Sequence, residues 1–490
     1  VDIERRTFLG GVLSLASLGA LAACTPPAPG PTPTPTPTIT PTASGVPAPA
    51  AFVRSAWSAD PFSLGSFSMV PVGGDPADRA TLRETIGARV FMAGEATSSE
   101  YAGTLRGAAR SGAAAADRVA ALAGRGERIA VIGAGLSGAV AARALTEAGF
   151  DVVVVEARDR IGGRIDSREL DGWAFPVELG AASVPQDALD ELLLSSDVDT
   201  IALPGSAETR TAEGTVVPPS EAPVQAVQAA AAWAKGQDTD VSLAAALAES
   251  GASALPTAEA GQVSPADLLT HYLDTAVASS YGAGAFRLSA SYGLERGLPS
   301  GDGRLVVGGL DGIVAEALDG LDVLLSSTVV RVGYDDDGAS IRLGTGESLS
   351  VDRVVVTVPL GVLQAGTVEF APPLPPSTLA AVSALGMGTL EQLWLRFDEP
   401  FWSSEATVLS VLDDTSVVSE WINLLPSTGQ AVLVGLTAAD AVATTATQGD
   451  DAFVTAALAT LAPFVDEALL STPTPVPTPA GSGPTPAGAG

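Results

Sequence analysis

The stretch RIAVIGAGLSGAVAARALTEAGFDVVVVEARDRIGGR, Arg128 to Arg164, decides the fold of this chain. It opens on Ile129–Ile132, a short apolar run of the kind that forms a strand buried on both faces. Gly133, Gly135 and Gly138 follow as GxGxxG at the turn into a helix. Ala141, Ala142 and Leu145 continue that helix on a packing face, and Gly149 stands where a C-cap would end it. A second apolar run, Phe150 to Val155, ends at Glu156, 18 residues beyond Gly138. The first glycine permits a tight turn, the second lets backbone approach a pyrophosphate, and the third lets the helix pack closely on the strand. Free N–H groups and the positive end of the helix dipole then face the phosphates. The Glu156 carboxylate can accept from both ribose hydroxyls. Together these features predict a dinucleotide-binding βαβ unit.

The rest of the chain narrows the chemistry. Its 490 residues suffice for two or three domains, and 46% are hydrophobic, so a large core can form. The net charge is −31, from 56 acids against 25 bases. Nucleic acid is repelled and no basic patch offers an exception. Cationic small molecules are favoured, unless the acids serve only solubility. Cys24, His271 and Lys235 are each the only residue of their type. An intrachain disulfide is therefore impossible, no metal site is expected, and a Ser-His-Asp triad would have to use His271. In LLTHYL, His271 reads as a packed side chain.

Both ends look different. Arg5-Arg6 precedes an apolar run, Phe8 to Ala23, whose 16 residues fall short of the ~20 needed to span a bilayer. Leu21-Ala22-Ala23-Cys24 resembles a bacterial lipoprotein box. Residues 1–24 are thus expected to be a twin-arginine signal with Cys24 lipidated, and the protein to be exported and lipid-anchored on the outer face of the cytoplasmic membrane. An uncleaved anchor is the alternative. Residues 25–50 read as a Pro/Thr-rich tether and residues 471–490 as a Pro-rich disordered tail, leaving 51–470 to fold.

GxGxxG does not choose between NAD and FAD, but its continuation does. EARDRIGGR, Glu156 to Arg164, resembles the run that wraps the FAD pyrophosphate in the flavin-containing amine oxidase (monoamine and polyamine oxidase) family. VELGAASV (Val177 to Val184), LVVGGLDGIVAEAL (Leu305 to Leu318), STVVRV (Ser327 to Val332), VDRVVVTVPLGVL (Val351 to Leu363), VEFAPPLPP (Val368 to Pro376) and LRFDEPFW (Leu395 to Trp402) follow in that family's order. The family's two closing pieces stand at the front instead: SAWSADPFSLGSFSMVPVG (Ser55 to Gly73) and RVFMAGEATSSEYAGTLRGAARSG (Arg89 to Gly112). The chain therefore reads as circularly permuted. The old C-terminal helix, Gly107 to Leu122, would be fused through Ala123–Glu127 to the first strand of the dinucleotide fold, which requires neighbouring termini. A swapped dimer and the relic of a truncated tandem copy are the alternatives.

The resemblance implies an α/β chain: a doubly wound, Rossmann-like FAD-binding domain and a substrate domain of mixed sheet and helices. Residues 51–200 (with the permuted motif at 55–122) and 301–360 would form the first, and 201–300 and 361–470 the second. It implies noncovalent FAD, because Ser66 stands where some relatives carry a linking cysteine. Cofactor contacts carry over to Gly133, Gly135, Gly138, Glu156, Arg158, Gly162, Gly163, Arg164, Gly180, Ala181, Val329, Gly94, Glu95, Thr104 and Leu105. The helix starting near Gly103–Leu105 would stabilise reduced flavin through its dipole. Phe67 matches one of two aromatics that flank the substrate amine; the other position is Thr104. Gln392 stands where the family has a lysine that holds a water at flavin N5; it can hold a water but brings no charge. The implied reaction is hydride transfer from an amine to flavin N5, then imine hydrolysis and peroxide formation with oxygen or another acceptor. An amino acid substrate, or a catalytically weak FAD-containing surface protein, stays open. Arg287, Arg296 and Arg304 are candidates for a carboxylate partner.

Overall fold

Five short strands form a parallel sheet in the order Asp322–Leu324, Asp151–Val155, Arg128–Ile132, Arg353–Val356, Val90–Met92. The computed structural model describes residues 44–184, 198–203, 205–256, 258, 262–298, 303–413 and 416–470. These strands are apolar along their length because alternate side chains meet two different cores. Phe91, Ile129, Val131, Val154 and Val355 face the helices Leu105–Leu122, Leu136–Glu147 and Asp311–Leu318. Met92, Ala130, Ile132, Val153 and Val354 face the other way.

That second face differs from a doubly wound fold. It is covered mainly by a four-stranded sheet, Ser348–Val351, Ala339–Leu343, Val329–Tyr334 and Glu369–Ala371, to which the short helix Leu360–Ala365 adds only Val362. The cause is local. Between Leu324 and Arg353 the chain alternates apolar and polar residues, as in ASIRL, and turns at Asp335–Gly338 and near Gly346. Such a pattern makes an antiparallel meander, not a crossover helix. The Rossmann-like expectation holds; double winding in the strict sense does not.

The second large element is a seven-stranded sheet in the order Ala51–Arg54, Leu390–Arg396, Val432–Ala438, Glu420–Asn423, Val408–Leu412, Ala207–Thr211, Val216–Val217. Ala51–Arg54 was expected in the FAD-binding part, yet it pairs antiparallel with Leu390–Arg396. Odd residues such as Leu393, Leu395, Leu409, Trp421 and Leu433 pack with Phe453 and Ala457 of the helix Asp450–Ala459. Val46 is fully buried in the same core, so the folded part begins before Ala51 and the tether expected over 25–50 stops short of it. Helices Ala222–Ala234, Leu243–Glu249 and Pro265–Tyr272, a π-helical turn Leu273–Val277 and the helix Ala278–Tyr281 share a further core.

The front segment is built into both sheets. Its helix Leu105–Leu122 lies against Leu136–Glu147 so closely that a Cβ on Gly112 would fall 2.2 Å from the Ser137 carbonyl oxygen. Ala123–Glu127 then joins this helix to the strand Arg128–Ile132. Gly112→Ala is expected to lower stability by about 1–3 kcal/mol, since backbone must move apart. An unchanged midpoint in denaturant unfolding would contradict this packing.

Candidate active site

The two sheets and the helical wall enclose one large cavity of about 1500 Å³. At one end lies the glycine turn. Gly133 has φ +106°, and a Cβ there would meet Thr357 Oγ1 at 2.5 Å. Gly138 packs on the Gly133 carbonyl. Gly135 differs: beyond its chain neighbours, the nearest protein atom to its Cβ position is the Gly162 carbonyl oxygen at 3.6 Å, and the residue lines the cavity. The first and third glycines serve the turn and the packing, while the second leaves room for something that is not protein.

The helix Leu136–Glu147 starts here with no side-chain cap, so its first N–H groups are open to an anion. Glu156, 4% exposed, accepts from the Ala134 N–H at 2.7 Å and the Arg158 N–H at 2.8 Å, and borders the cavity. Val329 lies beside it, because Ser327 N donates to the Glu156 carbonyl. Gly162, Gly163, Gly180 and Ala181 line the same space. Arg160, missed in the sequence, holds this loop by donating to the carbonyls of Ile161, Gly163 and Ile165. An open glycine, an uncapped helix and a buried acid at the tip of the second strand fit FAD.

The front segment supplies the opposite side. Gly94, with φ +124°, donates its N–H to Ser111 Oγ, and beyond its chain neighbours a Cβ there would meet only the Thr357 carbonyl oxygen, at 4.0 Å. Thr104 caps the helix Leu105–Leu122, accepting from Gly107 N at 3.0 Å. Thr104 and Leu105 both line the cavity. Glu95 does more than its sequence position suggests. Its carboxylate accepts from Ser68 Oγ at 2.6 Å, Gly103 N at 2.8 Å and Arg164 Nη1 at 2.9 Å. Burial opposes its charge, but Arg164, Ser68 and Arg79 outweigh that and hold its pKa below the usual carboxylate range.

The two arginines expected at the pyrophosphate bind the front segment. Arg158 Nη2 donates to Asp60 Oδ1 at 2.8 Å and Ser63 Oγ at 2.9 Å. Arg164 Nη1 also donates to the Ser66 carbonyl. Ser66 Oγ is held by the backbone of Leu390. Glu391, which the sequence did not flag, completes the joint. It accepts from Ser55 Oγ, Trp57 N, Ser58 N and Ser58 Oγ at 2.5–3.0 Å.

Gln392 lines the cavity, but both ends of its amide are engaged. Nε2 donates to the Gly180 carbonyl at 2.6 Å, and Oε1 accepts from Trp394 Nε1 at 2.9 Å. Its part in holding a water is thereby narrowed to one remaining amide hydrogen and one remaining lone pair on Oε1. Phe67 lines the cavity in the short strand Phe67–Met69. Of the three arginines considered for a carboxylate, Arg296 alone is among the cavity residues. Arg304 binds Thr200 instead.

The far end is formed by one face of the seven-stranded sheet: Thr209, Val408, Ser410, Glu420, Ile422 and Val434. The helical wall faces them with Leu268, His271, Tyr272, Thr275 and Ser279, a helical spacing that the π-helical turn widens. His271 Nε2 bonds Ser410 Oγ at 3.0 Å, and burial lowers its pKa to about 4, so it is neutral at physiological pH. It is a packed wall residue, as expected. The Tyr272 hydroxyl is buried with no hydrogen-bond partner among the described residues. Glu420 is surrounded by protein yet open to the cavity, and burial raises its pKa, with Ser279 partly opposing. No cation pairs with it among the described residues. Parity could have exposed it: Glu420 shares the face of Ile422 in EWIN.

A Rossmann-like sheet joined to a second, cavity-forming sheet suits an enzyme that holds a dinucleotide cofactor beside a substrate. The sequence matches the family described as flavin containing amine oxidoreductase over residues 37–120 and 220–479, and an NAD(P)-binding Rossmann-like domain over 131–191. The chain belongs to this flavin amine oxidoreductase family. It is 27% identical over 332 residues to polyamine oxidase 4 of Oryza sativa subsp. japonica, covering 63% of this chain and 67% of that protein. It is 28% identical over 336 residues to polyamine oxidase 2 of Arabidopsis thaliana, covering 63% and 66%. The chain thus spans about two thirds of the length of the curated relatives it matches. The structure of wild-type putrescine oxidase bound to putrescine shares the fold, with a TM-score of 0.55 and 21% identity over 70% of this chain and 83% of that one. The cofactor is FAD.

Gly135 gives a clean test of the cofactor end. Gly135→Ala is expected to leave the unliganded protein's unfolding midpoint unchanged while abolishing the flavin absorbance of the purified protein. Flavin retained at one per chain would contradict the assignment of that space to the pyrophosphate.

Proposed function

We propose that this protein oxidises a substrate carrying two or more amino groups, a diamine or polyamine, with FAD as the oxidant. The observation that carries the substrate class is Glu420. A carboxylate deep in a cavity, without a cation of its own, is costly unless a ligand brings one. An ammonium group removed from the reacting nitrogen would do so, and the unpartnered Tyr272 hydroxyl offers it a second acceptor. The neutral His271 does not repel it. The acidic balance of the chain, −31, favours arrival of cations. The relatives named polyamine oxidase and the putrescine-bound neighbour agree with this class.

FAD supplies the two-electron oxidation of the C–N bond and passes the electrons to oxygen or another acceptor. The chain itself orients the amine, excludes water and places charge. Gln392 contributes position without charge, which supports modest turnover rather than none.

Circular permutation is part of the same proposal. Its support is that the front segment enters both sheets and the cofactor cavity, through Ala51–Arg54, Val90–Met92 and Glu95, and joins the dinucleotide fold through the short link Ala123–Glu127. We propose Phe67 and Gln392 as the substrate-facing residues at the flavin end. Export and lipid anchoring through Cys24 rest on the sequence alone, since residues 1–43 lie outside the described residues, as does the tail expected over 471–490.

Peroxide release from matched diamines and monoamines tests the substrate class. Glu420→Gln is expected to reduce kcat/KM for a diamine by about tenfold or more, and for a monoamine of equal length by under about threefold. The carboxylate must be ionised to hold an ammonium. Because its pKa is raised, kcat/KM for the diamine should fall with decreasing pH on a limb above the usual carboxylate range, and the variant should lack that limb. Equal losses on both amines would remove Glu420 from substrate recognition.

A further inference from the structure

At the flavin end of the cavity an arginine sits where an incoming ammonium would be expected to dock. The Arg296 guanidinium carbon lies 5.0 Å from the centre of the Phe67 ring and 4.8 Å from that of Tyr281. Its Nη1 donates to the Ala102 carbonyl at 3.2 Å and its Nη2 to the Ser280 carbonyl. Gly103 makes room for it, since a Cβ there would fall 1.9 Å from Nη1. Backbone carbonyls therefore fix the fork and two rings sandwich it. Each Nη has given one of its two hydrogens to a backbone carbonyl, which fixes the group and disfavours a two-pronged grip on a carboxylate.

The neighbouring charges do not cancel it. Glu95 is bound to Arg164. Glu295 is held by Arg79 through two bonds, Nε to Oε2 at 3.2 Å and Nη2 to Oε1 at 2.6 Å. Three guanidinium groups thus face two carboxylates, and Arg296 has no carboxylate within ion-pair distance among the described residues. Tyr281 stays neutral, with its pKa pushed by burial up to about 12. The face of Phe67 is a favourable place for a cation, and Arg296 has taken it. A substrate nitrogen arriving here meets a fixed positive charge in a poorly solvated space. Like charge disfavours the ammonium form. At the other end of the cavity, the unpaired Glu420 favours it.

We propose that Arg296 sets the protonation state and the direction of the substrate: it admits the reacting nitrogen at the flavin only as the neutral amine and leaves the charged nitrogen to Glu420. This rests on the diamine reading of the cavity. Only a neutral amine has the nitrogen lone pair that drives oxidation at the adjacent carbon. The proton leaves the nitrogen for solvent on binding, and the carbon–hydrogen bond then breaks with its electron pair going to the cofactor. Arg296 is a positioning residue that acts through the charge of the bound substrate.

The test is the limiting rate of anaerobic flavin reduction as a function of pH, in the full-length holoenzyme, with a diamine and a monoamine of different free amine pKa. This rate reports ionisations within the complex. In the unaltered enzyme the rising limb is expected below each substrate's own pKa by about one unit or more. Arg296→Gln should move the limb up by about one unit or more, for both substrates, and Arg296→Lys should leave it within about half a unit. A limb unmoved in Arg296→Gln, or one at or above the free amine pKa in the unaltered enzyme, overturns the proposal. Should Arg296→Gln lose its flavin, the limb of the unaltered enzyme with the two substrates decides alone. Absence of reduction by any amine would instead overturn the functional reading, and this inference with it.

Discussion

The structure depends on one buried carboxylate. Glu95 gathers Ser68, Gly103 and Arg164 at distances of 2.6–2.9 Å. These belong to three separate pieces: the strand Phe67–Met69, the entry to the helix Leu105–Leu122, and the loop after the dinucleotide strand. Removing its charge would leave buried donors without an acceptor, a loss larger than the bonds themselves contribute. Glu391 does the same work at the other seam, where it clamps Ser55 to Ser58 against the substrate sheet. Two acids thereby tie the front of the chain to the cofactor region and to the substrate region.

The cavity follows from period-two alternation. In the central strands of the seven-stranded sheet, Leu393, Leu409, Trp421 and Leu433 pack under the helix Asp450–Ala459 while Gln392, Val408, Glu420 and Val434 face inward; in Ala207–Thr211 it is the odd residues Ala207 and Thr209 that line the cavity. The same rule splits the parallel sheet between helices and a second sheet. A one-residue slip would exchange the walls of the cavity for its core. The sites are therefore held by register rather than by loops, and a charged residue at an inward position, such as Glu420, is placed with the precision of a strand.

Much of the cofactor end was legible because its chemistry is backbone chemistry. GxGxxG, Glu156, Gly94 and the Thr104 cap work through turns and helix ends that are local in sequence. What stayed hidden was long-range. Glu391 meets Ser55 across 336 positions, and Arg79 meets Glu295 across 216. Arg296 was one of three arginines the sequence offered without a ranking, and its packing against Phe67 and Tyr281 singles it out. The arginines of EARDRIGGR resembled pyrophosphate ligands, but their nitrogens hold the front segment. The covering sheet has no motif that announces it, and only the apolar–polar alternation between Leu324 and Arg353, as in ASIRL, marks it.

The account joins a front segment, a dinucleotide fold and a cavity with opposite charge at its two ends into one amine-oxidising site. The visible spectrum of the purified full-length protein, before and after anaerobic addition of an α,ω-diamine, tests that union most directly. The account predicts flavin bands at one per chain that bleach on addition of the amine. A protein without flavin, or one whose flavin stays oxidised with every amine, would contradict it.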